Sequence, residues 1–262
     1  MDLGLDGKRA LVLASSRGLG LGIATALVTE GATVMLTGRD AARLEAAAAA
    51  LCARGPGRAL PVVCDMAADD AVARLSDAAA ARLGGVDILV NNSGGPAPGP
   101  VSTLAPEVWT RSFTVMVERI IALTNAVLPG MQAAGWGRIL TLTSSGVEQP
   151  IANLGASNAL RSTLLGWSKT LAAEVAADGV TANILIPGRI HTDRVDELDA
   201  AAAKRAGKTV GEIAAASRAT IPMGRYGTVE EFAAVAAFLV SAQASYVTGA
   251  KFRCDGGMIR SI

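Results

Sequence analysis

Seven short runs of near-continuous apolar residues, separated by helix-forming stretches, most constrain what this 262-residue chain can fold into. The runs are Arg9–Ala14, Ala32–Thr37, Leu60–Cys64, Val86–Asn91, Arg138–Thr143, Val180–Ile186 and Lys251–Cys254. A strand wet on one face alternates apolar and polar residues, whereas a strand covered on both faces has no such need. The unbroken pattern therefore predicts a buried parallel sheet. Leu19–Glu30, Ala41–Ala53, Asp69–Leu83, Thr110–Ala134, Asn153–Ala177 and Val229–Ser241 are the predicted helices. Alanine dominates several of them, which favours helix and allows close packing on a sheet. Repeated strand–helix–strand units with right-handed crossovers give a doubly wound α/β fold. No Pro/Gly/Ser linker divides the chain, so residues 1–262 form a single domain.

One segment breaks the rhythm. Between Ile190 and Tyr226 lies a polar, helix-prone insert that leaves the sixth strand before the last helix. Ligands of open α/β sheets bind beyond the carboxyl ends of the strands. The insert at 190–226 is thus a natural substrate lid, with plain surface elaboration as the competing reading.

Composition excludes several classes. Hydrophobic residues make up 51% and charged residues 18%, which rules out a disordered chain. A net charge of +1 leaves no basic footprint for nucleic acid. Cys52, Cys64 and Cys254 are far apart and have no nearby His, so spacing suggests no metal site. Sparse, odd cysteines fit a reducing compartment. The first residues lack the apolar core of a secretory signal, and the longest apolar run, Phe232–Val240, is short for a bilayer. The expectation is a cytoplasmic protein without membrane partners.

The first strand runs into Ala14-Ser15-Ser16-Arg17-Gly18-Leu19-Gly20 and then a helix. Glycines there permit a tight turn and close backbone approach to a pyrophosphate seated on the helix N-terminus. The fourth strand ends in Asn91-Asn92-Ser93-Gly94, the sixth in Pro187-Gly188 with Thr192 following, and the last in Asp255-Gly256-Gly257. With these elements in this order, the chain resembles the short-chain dehydrogenase/reductase family over essentially its full length. The resemblance implies a Rossmann-type sheet and a nicotinamide cofactor. It also places Asp65 and Met66 along the adenine, Asn91, Ser93 and Gly94 at the ribose, and Pro187, Gly188, Ile190 and Thr192 at the nicotinamide. Asp65 has an ordinary strand-end reading beside this one, and Thr192 that of a helix N-cap.

Charge selects the cofactor. NAD binding calls for a carboxylate at the end of the second strand, but that strand ends Thr37-Gly38-Arg39, with Asp40 only afterwards. Arg17 stands in the glycine loop beside Ser16. Two guanidinium groups suit a 2′-phosphate, predicting NADP(H); the alternative is two solvated surface arginines.

The family's reaction is hydride transfer to or from a carbonyl. The resemblance implies a Tyr acid, a Lys four residues later and a Ser after the fifth strand. Laid on Asn153–Arg161, the Tyr position falls on Leu154 and the Lys position on Asn158, while the family's helix Asn falls on Met116. Tyr226 and Tyr246 lie far downstream. Ser144 and Ser145 remain as polarising hydroxyls, or as a turn pair. Asn158 can reach ribose hydroxyls. His191 is a candidate donor or a structural residue, and Glu148 an outside candidate. Arg161 forms an i, i+4 pair with Ser157 and is assigned either to the site or, with slight preference, to a subunit interface.

A positioned general acid contributes about 10²–10⁴-fold, and hydride orientation is a separate contribution. Three readings follow: an NADPH-dependent reductase of a small carbonyl or imine with an atypical donor, an inactive NADP-binding sensor or partner subunit, or non-redox chemistry. The cofactor motifs favour the first. Homo-oligomerisation through Thr110–Ala134 and Asn153–Ala177 is a further implication of the resemblance.

Overall fold

The computed structural model describes residues 1–262. Its strands are β1 (Arg9–Val12), β2 (Thr33–Gly38), β3 (Arg58–Val63), β4 (Ile88–Asn91), β5 (Gly137–Leu142), β6 (Val180–Pro187) and β7 (Lys251–Cys254). All seven pair in parallel as one sheet, in the order β3-β2-β1-β4-β5-β6-β7. The helices are α1 (Gly18–Thr29), α2 (Ala41–Cys52), α3 (Ala71–Leu83), α4 (Pro106–Phe113), α5 (Arg119–Ala133), α6 (Gly155–Val175), α7 (Asp193–Ala206), α8 (Val210–Ala219) and α9 (Val229–Leu239).

Both faces of the sheet are covered, which is why its strands read as unbroken apolar runs. Ala10 and Val12 of β1 join Val34 and Leu36 of β2 in a core beneath α1 and α9. Their neighbours Leu11 and Met35 point the opposite way, into a second core with Leu75, Leu123 and Leu171 of α3, α5 and α6. Gly22 sets the approach of α1 to α9, since a Cβ there would run into the Val229 side chain. Strand order reverses between β1 and β4, and a crevice opens beyond their carboxyl ends.

One region departs from the sequence expectation. The helix expected over Thr110–Ala134 begins at Pro106 and passes through a π-helical segment, Thr114–Glu118, before continuing as α5. That segment packs Met116 and Val117, with Ile120, onto Leu160 and Leu164 of α6. The continuous helix Pro106–Ala133 is also long and apolar enough to cross a membrane by length and composition. Polar residues interrupt it, so no unbroken apolar run marks it in the sequence. In the fold its apolar side meets α6 and the sheet.

The insert forms α7 and α8. Asp193 and Asp196 lie in the first turn of α7, Lys204 and Arg205 in its last, and Gly207 closes it with φ 63°, an order that complements the helix dipole. A capping box between Thr209 and Glu212 starts α8. Buried Asp199 of α7 ties the insert to the end of β6: it lies 3.1 Å from the Arg189 guanidinium and accepts from the Tyr226 hydroxyl at 2.7 Å.

Candidate active site

The turn after β1 is built on an unusual residue. Ala14 occupies the left-handed region at φ 48°, a conformation costing about 1–3 kcal/mol and retained only where its surroundings enforce it. Its N–H donates to Thr37 Oγ1 at 3.1 Å and its carbonyl accepts from Asn92 Nδ2 at 3.3 Å. Buried Ser15 accepts the Thr37 N–H and donates to the Val12 carbonyl. Gly18 adopts φ 59°, and a Cβ on Gly20 would collide with the Ala14 carbonyl. Arg17 stands at the N-cap of α1 without a side-chain cap bond. The first amides of α1 are therefore left for an anion.

A cavity of about 550 Å³ opens from this turn across the ends of β1, β4, β5 and β6. Arg17, Gly18, Leu19 and Arg39 line one end. An adjoining cleft adds Ser16, Asp40 and Arg43 beside the same two arginines. Asp40 does not oppose them as a free carboxylate: it caps α2 through the Arg43 N–H at 3.0 Å and lies 3.8 Å from the Arg43 guanidinium. Arg17 reaches Asp193 at 3.3 Å and Glu197 at 3.7 Å, joining the glycine turn to α7. The predicted Ser93, Gly94, Pro187, Gly188, Ile190 and Thr192 all line the cavity. Thr192 stands at the N-cap of α7 but makes no side-chain cap bond, so that role does not engage its hydroxyl.

The other end holds hydroxyls and a buried cation. Ser144 and Ser145 line the cavity after β5. Ser144 Oγ accepts the Gly146 N–H at 3.2 Å, leaving its proton for a second partner. From α6 come Ser157 and Arg161, one helical turn apart. Arg161 is only 8% exposed and donates to the Leu142 carbonyl at 3.3 Å and the Ser93 carbonyl at 3.0 Å. Burial, with a further contribution from Arg194, pulls its pKa down to about 10, so the guanidinium stays charged near neutrality.

Several expected site residues face elsewhere. Asn158 donates to the Ile151 carbonyl at 2.9 Å and does not line the cavity; the facing pair is Ser157 and Arg161, with Leu154 beside them. The expected register was thus three residues away, with Leu154 at the cavity and Asn158 off it. Arg161 is buried at the cavity wall, not turned toward a subunit interface. His191 has a side chain 67% exposed, beside Asp196 at 3.3 Å and outside the cavity. Asn91 is fully buried and donates to Thr124 and Thr141 hydroxyls, so Asn92, its neighbour, occupies the cavity wall. Asp65 accepts the Ala67 N–H at 3.0 Å, and neither it nor Met66 lines the cavity. Gly20 shapes the turn from beneath. Glu148 is engaged by Lys251 at 2.7 Å and Arg253 at 3.1 Å, and these partners hold its carboxyl below the usual range.

Ser157, noted in the sequence only as the partner of Arg161, lines the cavity, as do Asn92, Gly95, Arg189, Arg194 and Glu197. For Ser157 the signal was available: Leu154, Ser157 and Arg161 share one helical face at i, i+3, i+7 spacing. Arg194 and Glu197 depend on how α7 crosses the strand ends, and Asn92, Gly95 and Arg189 on the loops that leave β4 and β6.

A doubly wound parallel sheet with a glycine turn at its switch point defines a nucleotide-binding α/β protein. The family model described as enoyl-(acyl carrier protein) reductase matches residues 13–259. The chain belongs to the short-chain dehydrogenase/reductase family. It is similar to the 3-oxoacyl-(acyl-carrier-protein) reductase FabG of Vibrio cholerae, at 34% identity covering 98% of this chain and 99% of that protein. D-beta-hydroxybutyrate dehydrogenase of Cupriavidus necator is 34% identical, with 97% and 99% covered. Among solved structures, L-sorbose reductase from Gluconobacter frateurii, complexed with NADPH and L-sorbose, superposes with a TM-score of 0.95 at 32% identity, with both chains covered completely.

Proposed function

We propose that this protein is an NADP(H)-dependent oxidoreductase that transfers hydride to a small carbonyl or imine substrate without the family's Tyr acid. The observation that carries the reading is one continuous cavity with phosphate-suited groups at one end and hydroxyls beside a buried cation at the other. Arg17 and Arg39 flank the place where an adenosine ribose would lie, and Asp40 is committed to its helix cap. The residues present therefore fit a 2′-phosphate, and the uncapped α1 amides fit a pyrophosphate. FabG, D-beta-hydroxybutyrate dehydrogenase and L-sorbose reductase are oxidoreductases by name, and the sorbose enzyme was solved with NADPH.

Bound NADPH supplies the hydride. Ser144 Oγ, with its lone pair engaged by the Gly146 N–H, donates its hydrogen to the substrate oxygen on which charge develops. Ser157 and Arg161 line the same end of the cavity as further donors to the substrate. The proton that completes an alcohol comes from solvent through these hydroxyls. An iminium substrate needs no such proton, because hydride addition neutralises it. Asn158 and His191 have no part in this scheme. The 190–226 insert acts as the lid, with α7 bringing Asp193, Arg194 and Glu197 to the cavity wall.

The expected result is NADPH oxidation, followed by absorbance, with at least one member of a ketone, quinone and imine panel. NADPH binding without oxidation of any member would move the protein to the sensor or partner-subunit reading. The protein is further proposed to be a cytoplasmic homo-oligomer assembled through the 106–133 and 155–175 helices. Its three unpaired cysteines suit that compartment, and a monomer mass in solution would end the oligomer proposal.

A further inference from the structure

The strongest unassigned feature is a convergence of donors on Gly95. The direction in which a Cβ would leave that glycine ends at a point 3.8 Å from Arg194 Nη2, 3.9 Å from Ser157 Oγ and 4.0 Å from Arg161 Nη2. Two guanidinium groups and a hydroxyl, from α7 and α6, thus surround one small volume at the cavity wall. Gly95 contributes no side chain to fill it.

The charges around this point do not balance. Arg161 is buried, and its partners are two neutral carbonyls, those of Leu142 and Ser93. The charge nearest in effect is Arg194, which repels it. Arg194 itself has a carboxylate, Glu197 at 3.3 Å, and reaches the Pro96 carbonyl at 3.5 Å. Arg17 takes Asp193 at 3.3 Å and shares Glu197, at 3.7 Å, with Arg194. Arg161, the buried member of the group, has no carboxylate partner. A buried, uncompensated cation is costly unless a ligand neutralises it.

We infer that the substrate carries a carboxylate, which docks between Arg161 and Arg194 with the Ser157 hydroxyl as third donor. This rests on the oxidoreductase reading above and names the substrate class for that site. A negative charge compensates buried Arg161, and a planar two-oxygen group matches two guanidinium donors. The substrate class is therefore an oxo acid or imino acid rather than a neutral ketone. The same anchor orients the substrate within the cavity that Ser144 also lines.

The test is calorimetric titration of the full-length protein, with and without NADP+, using pyruvate, 2-oxobutyrate and 4-oxopentanoate against their neutral amides. At least one acid is expected to bind about tenfold or more tightly than its amide, the effect of one charge-assisted hydrogen bond. Arg194→Gln should reduce that preference to about threefold or less. Gly95→Ala provides a second variant: its methyl meets only ordinary contacts of 3.8–4.0 Å, so the chain accommodates it while the docking volume fills. It too should erase the acid-over-amide preference. Equal binding of acids and amides by the unaltered protein, in both states, would overturn the inference, as would preferential binding of inorganic phosphate. Failure of NADP+ or NADPH to bind would instead overturn the cofactor reading, and the titration without cofactor would still decide this one.

Discussion

Ser157→Tyr combined with Arg161→Lys is expected to raise the rate of simple ketone reduction by about 10²–10⁴-fold, the usual contribution of a positioned general acid. The two positions are one helical turn apart and both line the cavity, so a phenol and an ammonium would project into it together. Leu154→Tyr with Asn158→Lys should give no comparable gain, because position 158 is directed at the Ile151 carbonyl. NADPH absorbance with a small neutral ketone compares the two double variants directly. A gain in the second pair and none in the first would mean that α6 presents a different face to the substrate. The single Arg161→Lys change separates the contributions, since it keeps a charge while losing the planar fork. It should weaken carboxylate preference without restoring ketone reduction.

Arg39→Glu is expected to weaken NADPH binding by about a hundredfold, while NADH binding changes far less. Each charged hydrogen bond to a phosphate is worth about 1.5–3 kcal/mol, and reversal of sign adds repulsion to that loss. Arg39 is the more telling of the two flanking arginines. Arg17 already shares Asp193 and Glu197, so part of its charge is spent before a ligand arrives. Fluorescence titration with both dinucleotides measures the effect. Equal losses for NADPH and NADH would place Arg39 away from the 2′-phosphate. The interaction should also weaken with salt, since both arginines are exposed.

The fold was legible because its signals are local. Apolar runs without alternation describe strands covered on both faces, and β1 and β2 send successive residues into opposite cores. The glycine turn was legible for a similar reason: Gly18 at positive φ and Gly20 against the Ala14 carbonyl meet steric demands within a few residues. The π-helical segment at Thr114–Glu118 left no such trace. Its extra residue per turn changes which face Met116 presents, and that is settled by packing on α6.

The active end was legible only in part. Ser144 and Ser145 followed from the end of β5, since a residue leaving a strand end in this fold meets the crevice. Asn91 and Asn92 differ by one residue, but a strand points successive side chains to opposite faces, so one is buried against Thr124 and the other reaches the cavity. Likewise a shift of three residues on α6 exchanged Ser157 and Arg161 for Leu154, which also lines the cavity, and Asn158, which closes the preceding turn. His191 sits between cavity-lining residues, yet its side chain leaves toward Asp196 and solvent.

By itself, then, the sequence determined the parallel sheet, the glycine turn and the arginines beside it. Each depends on periodicity, backbone sterics or charge within short stretches of chain. The tertiary structure alone decided that Ser157, Arg161, Arg194 and Gly95 surround one volume. Those residues come from α6, α7 and the loop after β4, and their meeting depends on helix rotation and crossing. Adjacent residues on a helix differ by about 100° in direction, so an offset of a single position is enough to replace a cavity wall with a buried turn.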